Sequence, residues 1–256
     1  GAAVTDRWRV GANLATTANA ALGVGAILYT LAGNPLWAML LIGCGVGFDG
    51  LDGQLSRRSR APPSVFGRVA DSVADAITFG AAPAVLIGFH TAQRSIWAPY
   101  TEIAAALALA YLVAAVARLV YFTLRAYERK DFLGVPTPQS ALAVIVALLF
   151  HDVPGFQTVQ PIGVLIGVAV LSVLMVAPIP YPKIRRGAPL RWPMVVTAAA
   201  AGLALVPLQF RPAAGSPLYD LAYGAALVML VGVALYYVVG PFTVPRSAPR
   251  GAGSRT

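Results

Sequence analysis

Four aspartates in one stretch, FDGLDGQLSRRSRAPPSVFGRVADSVAD at positions 48–75, are the residues best placed to do chemistry. Asp49 and Asp52 are three apart and Asp71 and Asp75 four apart, spacings that put each pair on a single helix face. The whole chain has only ten acidic residues, so gathering four of them beside segments suited to lipid calls for compensating positive charge. Three or four carboxylates converging between two helices make a hard, oxygen-rich site, which suits Mg²⁺ or Mn²⁺ better than zinc or copper. Gly53 lies one turn beyond Asp49 and Gly67 one turn before Asp71. The carboxylate faces therefore carry positions without side chains, where a large ligand would press against the backbone.

The elements that must position these residues are membrane helices. A composition of 58% hydrophobic and 11% charged residues, with mean hydropathy +0.72, excludes an ordinary soluble domain. Apolar runs fall at 10–32, 36–56, 66–91, 101–124, 139–151, 158–181, 192–210 and 218–240, each of spanning or near-spanning length. The expectation is an all-α, polytopic bundle of about eight helices. The fifth is the shortest, and Pro207 ends or kinks the seventh. Residues 1–240 form one transmembrane domain, and the tail 241–256, rich in Pro, Arg, Ser and Gly, is expected to be disordered.

Charge gives the expected orientation. With a cytoplasmic N-terminus, Arg94 and Arg211 are the exceptions among 19 basic residues in lying on the outer side. The positive-inside rule then places both termini, and the aspartates, at the cytoplasmic face of a multi-pass cell-membrane protein. The +9 net charge is dispersed over short loops, so it reads as topology rather than as a nucleic-acid footprint. No cleavable leader is read ahead of the first run. Cys44, the single cysteine, lies in an apolar run and offers neither a disulfide framework nor a CxxC metal site.

The aspartate stretch resembles the CDP-alcohol phosphotransferase family, whose motif reads DxxDGxxAR, a spacer, then GxxxDxxxD. Asp49, Asp52, Gly53, Arg57, Gly67, Asp71 and Asp75 match in register, with Ser56 at the usual alanine. The resemblance covers roughly residues 10–180 and implies a six-helix catalytic core, to which the last two helices are added. It also implies that a CDP-linked lipid binds through its pyrophosphate to two divalent ions, Mg²⁺ or Mn²⁺. An alcohol then attacks the lipid-bearing phosphorus and CMP leaves. By the family's pattern Asp49, Asp52 and Asp71 are metal ligands, while Asp75 takes the alcohol proton and also touches a metal. Gly53, Ser56, Arg57, Gly67, Asn13 and Thr16 are the expected contacts to the CDP-lipid.

Two further stretches bear on the acceptor. AITFGAAPA at 76–84 and DFLGVPTPQSA at 131–141 are similar to the SFGxAPA-like run and FxGLPxPxAA-like loop of the family's phosphatidylserine synthase branch. Asn13, Thr16, Asn19 and Gly23 fit that branch's PNxxTxxNxxxG-like opening, with Ala12 at the proline. In the fourth helix, Tyr121 and Thr123 replace the second arginine and the asparagine of an RLxRFN-like segment. Arg118 and Arg125 remain, seven apart and on roughly one face, as candidates to hold an acceptor carboxylate or phosphate through paired donors.

The resemblance implies CDP-diacylglycerol as donor, L-serine or another small alcohol as acceptor, membrane lipids as surroundings and no nucleic-acid partner. Inositol phosphate and glycerol 3-phosphate are the acceptors to weigh against serine. Gly163, Gly167 and Gly224 are candidate helix-packing points and a possible homodimer surface. His90 and His151 are expected at the outer interface. A cation channel is the rival from another class, but it predicts acids continuing across the bilayer, and here they cluster at one end. An ion-pair cluster with the linker arginines is the purely structural alternative.

Overall fold

The computed structural model describes residues 2–58, 65–126, 132–153, 155–156, 159–182 and 190–243. These fold into a helical bundle: α1 (Ala2–Leu31), α2 (Pro35–Arg58), α3 (Val65–Asp75), α4 (Ala82–Val85), α5 (Thr101–Tyr121), α6 (Thr137–Asp152), α7 (Pro161–Val176), α8 (Arg191–Leu208) and α9 (Pro217–Val239). α3 and α4 are joined by π turns into one rod over Val65–Phe89, so the eight expected helices are present. Five stretches are long and apolar enough to cross a membrane. α6 and α7, at 16 residues each, reach only about 24 Å at 1.5 Å per residue, short of a hydrocarbon core of about 30 Å. Large apolar side chains such as Leu14, Leu28, Val113, Ile166 and Val173 cover the outside. Facing outward in a chain this apolar, they are suited to lipid; the protein is an integral membrane protein.

α1 and α2 form a tight hairpin. Gly33 N–H donates to Thr30 O and Asn34 N–H to Tyr29 O, both at 2.9 Å, with Gly33 at φ +75°. This double bond closes the helix end, and Pro35 then opens α2 at a position where its missing N–H costs nothing. Below the turn Thr78 wedges between the two helices. It donates to Asn19 O at 2.7 Å. A Cβ at Gly23 would sit 2.7 Å from the Thr78 Cα, and one at Gly45 would sit 2.9 Å from Asn19 Oδ1. A side chain at either position would force its neighbours to shift.

The π turn at Ala76–Ala81 follows Asp75 directly. Pro83 cannot donate to the carbonyl four residues back, Phe79 O, and the buried Tyr111 hydroxyl donates to it instead at 3.0 Å. The rod is thereby locked against α5.

A two-residue antiparallel ladder, β1 (Phe132–Leu133) with β2 (Pro180–Tyr181), is the exception to the all-helical expectation. Gly134 N–H donates to Ile179 O at 2.9 Å and Val135 N–H to Leu174 O at 3.1 Å. These bonds tie the start of α6 to the end of α7.

Three further expectations change. His151 is buried: Trp97 Nε1 donates to its Nε2 at 2.9 Å, and its Nδ1 donates to Val159 O at 2.8 Å. Two neutral hydrogen bonds make it a core residue rather than an interfacial one. A Cβ at Gly167 or Gly224 would have nothing within 4 Å, so these glycines do not pack helices within the chain. Residues 241–243 of the expected tail belong to a 3-10 turn, Gly240–Thr243. Residues 244–256, the linker 59–64, Arg129, Lys130, Asp131 and the basic group Lys183, Arg185 and Arg186 lie outside the described residues.

Candidate functional site

α2 carries Asp49 and Asp52, and α3 carries Asp71 and Asp75. The i,i+3 and i,i+4 spacings do put each pair on one face, and packing turns the two faces toward each other. Asp49, Asp71 and Asp75 each offer a carboxylate oxygen within 4.8 Å of the others. Asp52 stands at the edge of this group, buried, accepting a hydrogen bond from Thr16 Oγ1 at 2.8 Å and within hydrogen-bonding reach of Asp71. Asp75 is the deepest in the rod, and Asn19 Nδ2 donates to its Oδ1 at 3.0 Å.

α1 therefore forms the third wall. Thr16, Asn19 and Gly23 recur every three or four residues along one face. The first two bond to aspartates, and the third makes room for Thr78. Asn13, one turn earlier, is exposed. α5 forms the fourth wall with Arg118, which is buried and within electrostatic reach of both Asp75 and Asp49. Its guanidinium lies 5.9 Å from the centre of the Phe122 ring.

The two departures noted in this helix have separate fates. Tyr121 is 41% exposed on the outer surface. Thr123 is bonded on both sides: its Oγ1 donates to Leu119 O at 2.8 Å, and Ser72 Oγ meets it at 2.5 Å. Thr123 thus pins α3, one residue past Asp71, to α5. Gly53 and Gly67 lie on the helices of the cluster, half-buried. The side chains of Ser56, Arg57 and Arg125 lie outside the described residues.

The donor set fits a hard divalent cation. Charges 4.8 Å apart or closer repel by about 3–4 kcal/mol per pair, or more, at an effective dielectric of about 20. Three such pairs rival the entire stability of a typical domain, about 5–15 kcal/mol. Asn19 Oδ1, in a residue 1% exposed, is a further buried oxygen without a hydrogen-bond partner. Oxygen ligands in excess of protein donors are what Mg²⁺ or Mn²⁺ requires. Asp49, Asp71 and Asp75, with Asp52 beside them, are the residues that could hold it.

Reasoning from sequence passed over several of the neighbours. Asn19 was marked by the opening motif it shares with Thr16 and Gly23, but its bond to Asp75 was not. Tyr111 supports the turn after Asp75 from 32 positions away, and no local pattern announces it. The same holds for Tyr236 and Tyr237 of α9, which lie within electrostatic reach of Arg118.

Residues 9–178 match the family described as CDP-alcohol phosphatidyltransferase. Among curated proteins, the CDP-diacylglycerol--serine O-phosphatidyltransferase of Bacillus subtilis is 33% identical over 173 residues, covering 68% of this chain and 90% of its own. The protein of the same name from Helicobacter pylori is 28% identical over 177 residues, covering 68% and 72%. An archaetidylserine synthase of Methanothermobacter thermautotrophicus is 30% identical over 173 residues, covering 67% and 69%. The matched segment runs from α1 through α7 and contains all four aspartates and Arg118; the chain is accordingly a membrane transferase of phospholipid biosynthesis that belongs to the CDP-alcohol phosphatidyltransferase family, in its phosphatidylserine synthase-like branch.

Proposed function

We propose that the protein transfers a phosphatidyl group from CDP-diacylglycerol to L-serine and releases CMP, at a site opening to the cytoplasm. The observation that carries the serine assignment is Arg118, a buried guanidinium beside Asp75. A carboxylate held by paired guanidinium donors there would bring the hydroxyl of a small amino acid to Asp75. A phosphorylated acceptor such as inositol phosphate or glycerol 3-phosphate carries more negative charge and would need further cations around the same pocket.

In the proposed step the acceptor oxygen bonds to the lipid-bearing phosphorus, the phosphorus–oxygen bond to CMP breaks, and Asp75 takes the hydroxyl proton. Two divalent ions, Mg²⁺ or Mn²⁺, would when bound neutralise the pyrophosphate and the leaving CMP. Asp49, Asp52 and Asp71 would hold those ions. Asn19 fixes the orientation of the Asp75 carboxylate, and Thr16 that of Asp52. Positioning of the Asp75 carboxylate against the acceptor hydroxyl supplies the effect. Gly53 and Gly67 leave room for the donor's head group, and Asn13, Ser56 and Arg57 are its further proposed contacts.

The test is CMP release by purified protein given CDP-diacylglycerol and Mg²⁺ or Mn²⁺, with serine, glycerol 3-phosphate, inositol or inositol phosphate added singly. Release that depends on serine supports the reading. Release with a different alcohol keeps the chemistry and removes the serine assignment.

A further inference from the structure

The end of the bundle opposite the aspartates is made by the connections between α1 and α2, between the α3–α4 rod and α5, between α6 and α7, and between α8 and α9. By sequence, these stretches at 32–34, 90–100, 153–160 and 209–216 include two arginines and no lysine. The two are Arg94 and Arg211, the exceptions to the charge asymmetry of the chain. Both line one cavity, of about 660 Å³, a volume usual for a small-molecule site. Topology gives no reason for cations at this end, whereas a shared ligand does.

The cavity has built walls. Gln209 Nε2 donates to Leu36 O at 3.1 Å and to Leu205 O at 3.0 Å, which ties the α8–α9 corner to the start of α2. Arg211 follows in the left-handed region at φ +47°, its N–H donating to Leu208 O at 3.1 Å. Glycine takes such a position after a helix without cost, so an arginine there points to a use for its side chain. Met39, Val153 and Leu208 are buried and give the cavity an apolar lining. Its charged groups are Arg94, Asp152 and Arg211; Glu102 and Asp220, the other acids at this end, lie outside it. Asp152 is matched by Arg94 Nη1, so the charge of Arg211 is left over. Among the described residues no acceptor meets the Arg211 side chain.

The surroundings suit an amphiphile. Trp37 lines the cavity, is 42% exposed and stacks on Tyr29 with ring centres 5.8 Å apart. Phe210, next to Arg211, is 75% exposed. Tryptophan and tyrosine collect at the headgroup level of a bilayer, where a phosphate would meet Arg211 and the carbon beneath it the apolar lining.

We infer that this cavity is a second lipid site, separate from the transferase centre, which takes a phospholipid of net negative charge. The lipid phosphate lies on Arg211, with the donors of Arg94 not given to Asp152 alongside, and its glycerol and upper acyl carbons lie against Met39, Val153 and Leu208. A zwitterionic headgroup brings an ammonium to the same cations and is held less well. Arg211 falls beyond residues 9–178, so the site depends on helices that lie outside the family match. It also stands about 20 Å along α2 from Asp49, too far for the same headgroup to occupy both.

The experiment reads binding without turnover, so its result is independent of the serine reading. The full chain in dodecyl maltoside is titrated with phosphatidylglycerol, phosphatidylcholine or glycerol 3-phosphate, and thermal unfolding is followed, since a ligand of the folded state raises the melting temperature. Phosphatidylglycerol should act at about fivefold lower concentration than phosphatidylcholine. Arg211→Gln should raise the half-maximal phosphatidylglycerol concentration about fivefold, the effect of one cation near a lipid phosphate. Arg211→Gly, which suits the left-handed backbone, should do the same. Arg191→Gln, at the other end of α8, should leave it unchanged, which separates this cavity from the basic residues of the aspartate end. An unchanged concentration in both Arg211 variants overturns the inference, as does an equal shift in Arg191→Gln. Equal responses to the two lipids overturn the requirement for negative charge. Glycerol 3-phosphate acting at the same concentration as phosphatidylglycerol overturns the lipid in favour of a small anion.

Discussion

The two ends of the bundle treat buried carboxylates in opposite ways. At one end Asp152 receives Arg94 Nη1 at 2.6 Å, and the adjacent His151 is satisfied by Trp97 and Val159. Arg94 and Asp152 border a cavity of about 660 Å³, lined also by Trp37, Gln209 and Tyr219. About 20 Å along α2, at 1.5 Å per residue, Asp49 faces Asp71 and Asp75, and Asn19 beside them leaves an oxygen over. A carboxylate matched to one cation holds a structure together. Three carboxylates gathered beside the buried, unbonded Asn19 Oδ1 suit a hard cation. The cavity beside Asp152 holds a matched ion pair, whereas the proposed chemistry lies with the aspartate cluster and the buried Asn19 Oδ1.

The comparison breaks most sharply at its two carboxylates. Asp75→Asn should lower CMP release by about 10²–10⁴-fold, the usual range for loss of a positioned general base. In the presence of chelator the same variant should melt at a higher temperature than wild type, because one like charge has left the cluster while Asn19 keeps an oxygen to bond. Asp152→Asn should do the reverse. Turnover per folded molecule should stay within about twofold, and unfolding in detergent should show a loss of about 1–3 kcal/mol. A fully buried pair would lose about 3–5 kcal/mol, but the Arg94 side chain is 39% exposed, and solvent screens part of the interaction.

Smaller effects sharpen the picture of what holds the aspartate end in shape. Gly45→Ala forces a methyl toward Asn19 Oδ1 and Thr78. Overpacking of this kind costs about 1–3 kcal/mol, and displacement of Asn19 should raise the Mn²⁺ concentration needed for half-maximal activity. Tyr111→Phe strips the Phe79 carbonyl of its donor and should cost about 1–2 kcal/mol, read by thermal unfolding. Its effect on activity should be smaller than that of Gly45→Ala, since Tyr111 supports the turn after Asp75 and not Asp75 itself.

Much of this was legible in the chain because helices impose local rules. Spacings of three and four residues put Asp49 and Asp52, and Asp71 and Asp75, on shared helix faces, while Thr16 and Asn19 were picked out by the motif they resemble. Hydropathy located all eight helices, including the short α6. What spacing cannot say is which faces meet across the bundle. Asn19 meets Asp75 across 56 positions and Tyr111 meets Phe79 across 32; both depend on Gly23, Gly45 and Pro83 shaping the backbone between α1, α2 and α5. The burial of His151 was invisible for the same reason, since its partners Trp97 and Val159 come from separate connections. The β1–β2 ladder is two residues long, too short to leave a periodic signal. Tyr121 and Thr123 read alike in sequence, as lost polar groups, and only the packing of α5 separates the outward tyrosine from the threonine that clasps α3.

The most direct test of the account is the stoichiometry of CMP and phosphatidylserine formed from CDP-diacylglycerol and L-serine, measured with and without Mn²⁺. The account predicts equal amounts of both products, formed only with metal and lost in Asp75→Asn. Product formation that persists after chelation, or CMP released without phosphatidylserine, would contradict it.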